Sequence, residues 1–281
     1  MKNMRDLAKL FVDSRFKGIS IMHPTAITSI AEAYQLQREI IDLNESENPL
    51  GKFIGWKIGA TSEAVQSKLG FGPFYGPLFE NSMASSGATV SMKSLGPIFR
   101  AAEGEIAFRM KQDFPMPENG VHSVEDMVRG ISDVYPAIEL ASARIERSSP
   151  EGIVADFALN GCNILGNGIR LDEMSSNVLN SIGECLVSIY VNGHDEQRGE
   201  GNNVMGNPLV ALAWLANALN DNGQMLRKDQ IVLTGAIAVH TACHGGDNIS
   251  VTFTGLPLGQ DCGENDHDPT RVDSVVVSLL P

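Results

Sequence analysis

Three glutamates carry the clearest chemical signal in this 281-residue chain. In Ala102-Glu103-Gly104-Glu105-Ile106-Ala107-Phe108 two carboxylates stand two residues apart. If the segment is a strand, they share one face while Ile106, Phe108 and Met110 turn to the core. Adjacent carboxylates raise each other's pKa unless a cation lies between them. Hard divalent ions such as Mg²⁺, Mn²⁺ or Ca²⁺ prefer such oxygen ligands. A solvated outer face would tolerate the same pair. Glu139 is the third acid, and the only charge in the strand-like run Val134-Tyr135-Pro136-Ala137-Ile138-Glu139-Leu140-Ala141. Buried alone it would be costly, so it either reaches solvent at an edge or joins the other two. Mg²⁺ keeps several waters and accepts few protein ligands, so three glutamates suffice.

Lys57 is the second feature, in Gly55-Trp56-Lys57-Ile58-Gly59-Ala60-Thr61-Ser62. Glycines two residues away on each side let a ligand approach the backbone. A lysine there can bind a carboxylate or carry a proton; equally, an edge-strand lysine can snorkel to water. Leu233-Thr234-Gly235-Ala236 reads as a strand end whose turn can offer N–H groups to an anion, a weak signal because many strands end this way.

The elements that must position these groups follow from periodicity and punctuation. Leu7, Leu10 and Phe11 form one helical stripe; Thr25 can cap a second helix carrying Ile27, Ile30, Ala31, Tyr34 and Leu36. After Asn48-Pro49 the texture becomes strand-like, with runs at 53–58, 103–110, 134–140 and 185–191. Asn192-Gly193 predicts a type I′ hairpin. Asn207-Pro208 opens a helix with Trp214, Leu215 and Leu219 in its core stripe, ending near Asn222-Gly223. Strands return at 231–234, 249–253 and 272–279. Helices first and strands after is an α+β order. The expected organisation is an N-terminal helical segment, 1–50, and a β-rich catalytic domain, 51–281, in one compact unit.

Composition narrows the function classes. A net charge of -13 argues against nucleic acid or an anionic membrane as partner, since both select basic patches. A bound metal would still allow an anionic small substrate. No apolar stretch is long enough to span a bilayer, and Met1–Phe16 lacks the apolar core of a signal peptide. Cys162, Cys185, Cys243 and Cys262 form no C-x-x-C pair. The expectation is a soluble cytoplasmic protein with reduced thiols. His240-Thr241-Ala242-Cys243-His244 offers three soft ligands but no partner motif for a zinc site, and Gln260–Thr270 reads as an acidic solvated loop. Neither G-x-G-x-x-G between strand and helix nor a phosphate-binding loop is present.

Several motifs together resemble the 2-oxopent-4-enoate hydratase and 4-oxalocrotonate decarboxylase family, within the fumarylacetoacetase-like superfamily. They are Gly-x-Lys57-x-Gly-x-Thr61, Tyr75-Gly76-x-Leu78, Glu103-x-Glu105-Ile-Ala, Pro136-Ala-x-Glu139, Arg144, Ala155-Asp156, Gly206-x-Pro208, Trp214-Leu215-Ala216 and Leu233-Thr234-Gly235. They run in family order from about residue 25 to 255. The resemblance implies a mixed β-roll core with peripheral helices and a homo-oligomer. It implies Mg²⁺ or Mn²⁺ on Glu103, Glu105 and Glu139, with Lys57 and Asp156 as catalytic groups. Thr61, Leu78, Arg144, Thr234 and Gly235 would surround a small 2-oxo acid such as 2-hydroxypenta-2,4-dienoate, from aromatic-compound breakdown. Such an acid chelates the metal through its carboxylate and 2-oxygen, which stabilises enolate charge.

The implied reaction is hydration, with decarboxylation of a 2-oxo dicarboxylate such as 4-oxalocrotonate as the alternative. A C–C hydrolase, which needs an acid–base pair on an N-terminal lid, and an inactive small-acid binding protein rank lower. Two positions depart from the family pattern. Phe74 stands where hydratases carry Asp, and looks more like the decarboxylases. Phe157 stands where an Asn is usual, and Asn160 is the nearby amide that could replace it.

Overall fold

Two amphipathic helices begin the chain. α1 (Met4–Lys17) buries Leu7, Ala8, Phe11 and Val12. α2 (Ile30–Glu47) starts at Ser29, whose hydroxyl accepts the Glu32 N–H at 3.2 Å, the usual way to satisfy a helix's first donors. The computed structural model describes residues 3–21, 27–118, 120–145, 149–171, 178–256 and 272–281. Thr25, Cys262 and the acidic stretch Gln260–Thr270 lie outside the described residues.

Glycine and proline then divide the chain into short elements. β1 (Phe53–Gly59), α3 (Glu63–Leu69), β2 (Phe74–Phe79), β3 (Met83–Ser85), β4 (Ala88–Ser91) and α4 (Met92–Leu95) come first. They lead into two long strands, β5 (Ile98–Met110) and β6 (Ile131–Ala143), separated by α5 (Val124–Gly130). Next come α6 (Pro150–Ala155), β7 (Cys162–Leu165), β8 (Ile169–Arg170), α7 (Val178–Glu184), β9 (Leu186–Val191) and β10 (His194–Glu200). α8 (Pro208–Asp221), β11 (Ile231–His240), β12 (Asn248–Thr254) and β13 (Val272–Leu280) complete the order. Asn192 and Gly193, between β9 and β10, both have left-handed φ (52° and 82°), as a type I′ turn requires. Asn207 caps α8 by accepting the Leu209 N–H at 2.9 Å.

The strands form two mixed sheets. One runs β2-β1-β11-β5-β6-β7-β3, with β8 beside β6; the other runs β10-β9-β12-β13-β4. β1–β11, β3–β7 and β4–β13 pair in parallel and the rest antiparallel. The sheets approach at Gly104, where an added Cβ would lie 2.7 Å from Val187 and 2.9 Å from Val251. That face of β5, with Ala102, Ile106 and Phe108, joins the main core. The opposite face carries the glutamates, and beyond them Ala107 joins Leu78, Ala137, Ile231 and Leu233 in a smaller apolar cluster. β5 is thus buried on both faces, which its two-sided burial pattern reflects. α2 docks on β1 and β2 of this sheet and α1 packs on α2: Gln37 of α2 donates to the carbonyls of Tyr75 in β2 and Val154 in α6 at 2.9 and 2.7 Å. Among the described residues no helix is long and apolar enough to cross a membrane.

Candidate metal centre

The register of β5 against β6 places Glu103 directly opposite Glu139, and Glu105 opposite Ala137. Directly opposed residues share a face, so three carboxylates from two strands meet. One oxygen from each lies within 4.8 Å of the others. Glu105 and Glu139 are fully buried and Glu103 partly so. Like charges facing each other across a ladder are destabilising, and burial removes the water that would screen them.

Lys57 of β1 reaches this cluster. Its Nζ lies 2.9 Å from Glu139 Oε2 and donates to the Ala158 carbonyl at 2.9 Å. It is buried, so the edge-strand alternative does not apply. The flanking glycines admit the protein's own neighbours: a Cβ at Gly55 would overlap the Ile231 backbone, and one at Gly59 the Phe74 ring.

The Thr234-Gly235 segment differs from its sequence reading. β11 does not end there but continues to His240 through an irregularity, with the register against β5 shifting between Leu233 and Ala236. The bulge frees one backbone donor, and Gly235 N–H bonds Glu105 Oε2 at 2.9 Å. The anion met by this backbone is therefore the protein's own carboxylate. Thr234 Oγ1 donates to the Ile106 carbonyl at 2.8 Å. Gly235 has φ 106° and Thr61 packs so closely on it that a Cβ would overlap the Thr61 side chain. Leu78, also fully buried, sits in the small apolar cluster beyond the glutamates.

The electrostatics are frustrated. Burial, and then the Glu139 charge, raise Glu103 to about 7. Burial, Glu139 and Glu103 push Glu105 well above the usual carboxylate range, although Lys57 and the Gly235 N–H oppose the shift. Burial pulls the Lys57 ammonium down, but the three glutamates, Glu139 foremost, hold it above its ordinary value. Glu105 Oε1 and Glu139 Oε1 are buried without a hydrogen-bond partner, an uncommon and costly state. Three carboxylates against one ammonium leave two negative charges when all are ionised, the charge of one divalent cation. The donor set is all oxygen, as Mg²⁺ and Mn²⁺ require. The residues therefore fit such an ion.

Asp156 and Arg144 are placed differently from the glutamates. Asp156 is fully buried; its Oδ2 accepts the Arg144 N–H at 2.6 Å, and its Oδ1 pairs with Arg15 at 3.1 Å. Arg144 donates to the Leu95 and Asn160 carbonyls at 2.7 and 3.0 Å. Arg15 donates to the same Asn160 carbonyl at 2.8 Å and lies 3.7 Å over the Phe157 ring. These contacts hold a turn in which Phe157, Ala158 and Leu159 all have left-handed φ (55°, 54° and 64°), each a cost for a residue with a side chain. The turn aims the Ala158 carbonyl at Lys57, and it lies so close to β2 that a Cβ at Gly76 would overlap the Phe157 backbone. Asp156 and Arg144 thus bear on Lys57 through this turn.

No family model matches the chain. The 2-hydroxyhexa-2,4-dienoate hydratase of Comamonas testosteroni is 31% identical over 231 residues, 81% of this chain and 84% of that protein. The chain belongs to the 2-keto-4-pentenoate hydratase and 4-oxalocrotonate decarboxylase family. A solved family member, the 4-oxalocrotonate decarboxylase from Pseudomonas putida G7 complexed with magnesium and adipate, superposes with a TM-score of 0.83 at 26% identity, covering 99% of this chain and 97% of that one. The fold extends to the fumarylacetoacetase type. The fumarylpyruvate hydrolase from Pseudomonas aeruginosa in complex with Mn²⁺ and pyruvate matches with a TM-score of 0.54 at 13% identity, over 81% of this chain and 89% of that one.

Phe74 and Phe157, the two positions expected to depart from the pattern of this hydratase and decarboxylase family, are core residues. Phe74 is 5% exposed and stacks on Phe71 at 5.2 Å. Phe157 is fully buried under Arg15. The Asn160 amide is engaged within the protein: its Oδ1 accepts from Asn163 at 2.8 Å and its Nδ2 donates to Ser82 Oγ at 3.4 Å. Two residues escaped the sequence reading. Arg15 reaches Asp156 across 141 positions, with no local pattern to announce it. Asn163 of β7 lies directly opposite Glu139. Both its N–H bonds are engaged, on Asn160 and on the Ser82 carbonyl at 3.3 Å, which leaves a buried Oδ1 without a partner. The signal was an Asn inside the apolar run 162–165. His240 and His244 join no metal-ligand group among the described residues.

Proposed function

We propose that this chain is a divalent-metal-dependent lyase that adds water to a short unsaturated 2-oxo acid such as 2-hydroxypenta-2,4-dienoate, in aromatic-compound breakdown. The observation that carries the reading is the convergence of three buried carboxylates, two of them with an unpartnered oxygen, beside a single lysine. Mg²⁺ or Mn²⁺ on Glu103, Glu105 and Glu139 would supply Lewis acidity to the 2-oxo acid's carboxylate and 2-oxygen.

The chain's own groups do the rest. Gly235 N–H holds Glu105 Oε2, so Oε1 is the oxygen left to face the ion. Asn163 Oδ1, beside Glu139, offers a further acceptor to the ion or its waters. Lys57 directs its ammonium at Glu139 and Ala158; with three N–H bonds it keeps one for the substrate, as a carboxylate ligand or proton donor. Thr234 spends its proton on Ile106 and presents lone pairs. Leu78, Ala107, Ala137 and Leu233 form an apolar wall suited to the hydrocarbon end of the acid. Thr61 supports the Gly235 bulge, while Asp156 and Arg144 act as positioning residues through the 157–159 turn. A cytoplasmic homo-oligomer belongs to the same proposal. The described cysteines are free thiols, and Leu186, Val272 and Val276 leave exposed apolar side chains on the five-stranded sheet.

Decarboxylation is the second reading, favoured by Phe74: an apolar ring packed on Phe71 supplies no acid or base to activate water. The test follows loss of the dienoate's conjugated absorbance with and without Mg²⁺, and CO₂ release from 4-oxalocrotonate. Metal-dependent loss of absorbance without CO₂ supports hydration, and CO₂ release supports decarboxylation. Metal binding without consumption of either acid overturns the lyase.

A further inference from the structure

A second concave site lies beside the N-terminal helix. It is a cavity of about 490 Å³ between the end of α1, the β2–β3 connection, α4 and the 157–161 segment. That volume is in the range of small-molecule pockets. None of the three glutamates, nor Lys57, lines it.

Its chemistry is unlike the rest of the molecule. Four basic residues, Arg15, Lys17, Lys93 and Arg144, line the cavity, and among the described residues no acidic one does, in a chain of net charge -13; Lys17 also pairs with the exposed Asp13 at 3.2 Å. Such clustering focuses positive potential in a low-dielectric recess. Arg15 and Arg144 are 6% and 3% exposed. Each keeps a buried Nε–H without an acceptor, but with no surface open to the cavity, so what they offer a ligand there is the charge and the other N–H groups of the guanidinium. Asp156 is the one carboxylate within ion-pair distance of these guanidinium groups among the described residues, at 3.1 and 3.8 Å. Glu139 attracts Arg15 from farther away, but Lys57 already pairs with it. One positive charge therefore remains at the inner end. Leu50, Phe79 and Phe157 supply apolar surface beside it.

The geometry points to a binding site for a small carboxylic acid with a flat apolar body, separate from the carboxylate centre. The acid's carboxylate would meet Arg15 and Arg144, its body would lie against Phe79 and Phe157, and the exposed Lys17 and Lys93 would attract it at the rim. A monocarboxylate without a 2-oxygen suits this site and lacks the chelating pair that suits the metal centre.

The probe is 4-fluorobenzoate, followed by fluorine NMR on the full chain with Mg²⁺ and saturating oxalate, a chelator aimed at the metal centre. Saturable binding is expected, with an affinity of about 1 mM or tighter that oxalate leaves unchanged. Lys17→Glu combined with Lys93→Glu, both on the surface, should weaken it at least tenfold. Arg15→Met should abolish it, with circular dichroism reporting whether that variant folds; the rim variant carries the test if it does not. Displacement by Mg²⁺ and oxalate, equal binding by the rim variant, or no saturation would each overturn the proposal.

Discussion

Two buried charge clusters sit on either side of one backbone turn, and they are built on opposite rules. Around Asp156 one carboxylate meets the Arg144 N–H and the Arg15 guanidinium, and both of its oxygens are used. Around Glu139 three carboxylates meet one lysine, and oxygens remain unpartnered. In the first the carboxylate is satisfied, while its two guanidinium groups keep one unpaired Nε–H each; it is a buried ion pair of the kind that is costly to break by removing one partner. The second is a deficit that an ion would close. On the proposed function, the contrast separates positioning residues from reacting ones: a satisfied carboxylate would hold chain, and an unsatisfied one would take a ligand.

The comparison breaks most visibly at Asp156. Asp156→Ala strands two buried guanidinium groups, and should cost about 3–5 kcal/mol of stability, read by urea unfolding. Where the variant still folds, its divalent affinity should stay near that of the parent. Glu105→Gln should do the reverse. Calorimetry should show Mg²⁺ or Mn²⁺ affinity falling at least tenfold, about 1.4 kcal/mol, while the metal-free variant melts no lower than the parent. Unchanged affinity would remove Glu105 from the site.

A third difference appears with pH. Folded, metal-free Glu103 keeps its proton up to about 7, against an ordinary 4.5. The folded state therefore holds more protons between these values, so its contribution to stability is full below 4.5 and lost as pH rises through 7. The melting temperature of chelator-treated protein should fall from pH 5 to pH 8, and added Mg²⁺ should flatten the trend. A chelator-treated protein whose melting temperature rises over that window would contradict the frustrated cluster. The smallest expected effect is at Thr234→Val, where losing one buried hydrogen bond to Ile106 should cost about 1 kcal/mol and leave metal affinity unchanged.

What the sequence disclosed was local or chemically conspicuous. Asn192-Gly193 and Asn207-Pro208 mark a hairpin and a helix start because the turn and cap chemistry lies in adjacent residues. Glu139 stood out as a charge in an apolar run, and strand alternation put Glu103 with Glu105. Longer-range features were hidden. β5 and β6 run 13 residues each, beyond the apolar runs that announced them, because the sheet carries polar ends such as Arg100 and Asp133. β11 passes Gly235 by a bulge, where the Thr-Gly pair looked like an end. The left-handed turn at Phe157–Leu159 has no glycine to mark it; its conformation is held by Arg15 and Arg144 from distant elements, and tertiary contacts of that kind leave no periodic trace.

Anomalous diffraction from crystals grown with Mn²⁺ and oxalate tests the central claim most directly. A single Mn²⁺ peak should lie at bonding distance, about 2.0–2.3 Å, from oxygens of Glu103, Glu105 and Glu139, with oxalate on the same ion. Three glutamates still clustered around Lys57 with the manganese bound elsewhere, or nowhere, would contradict it.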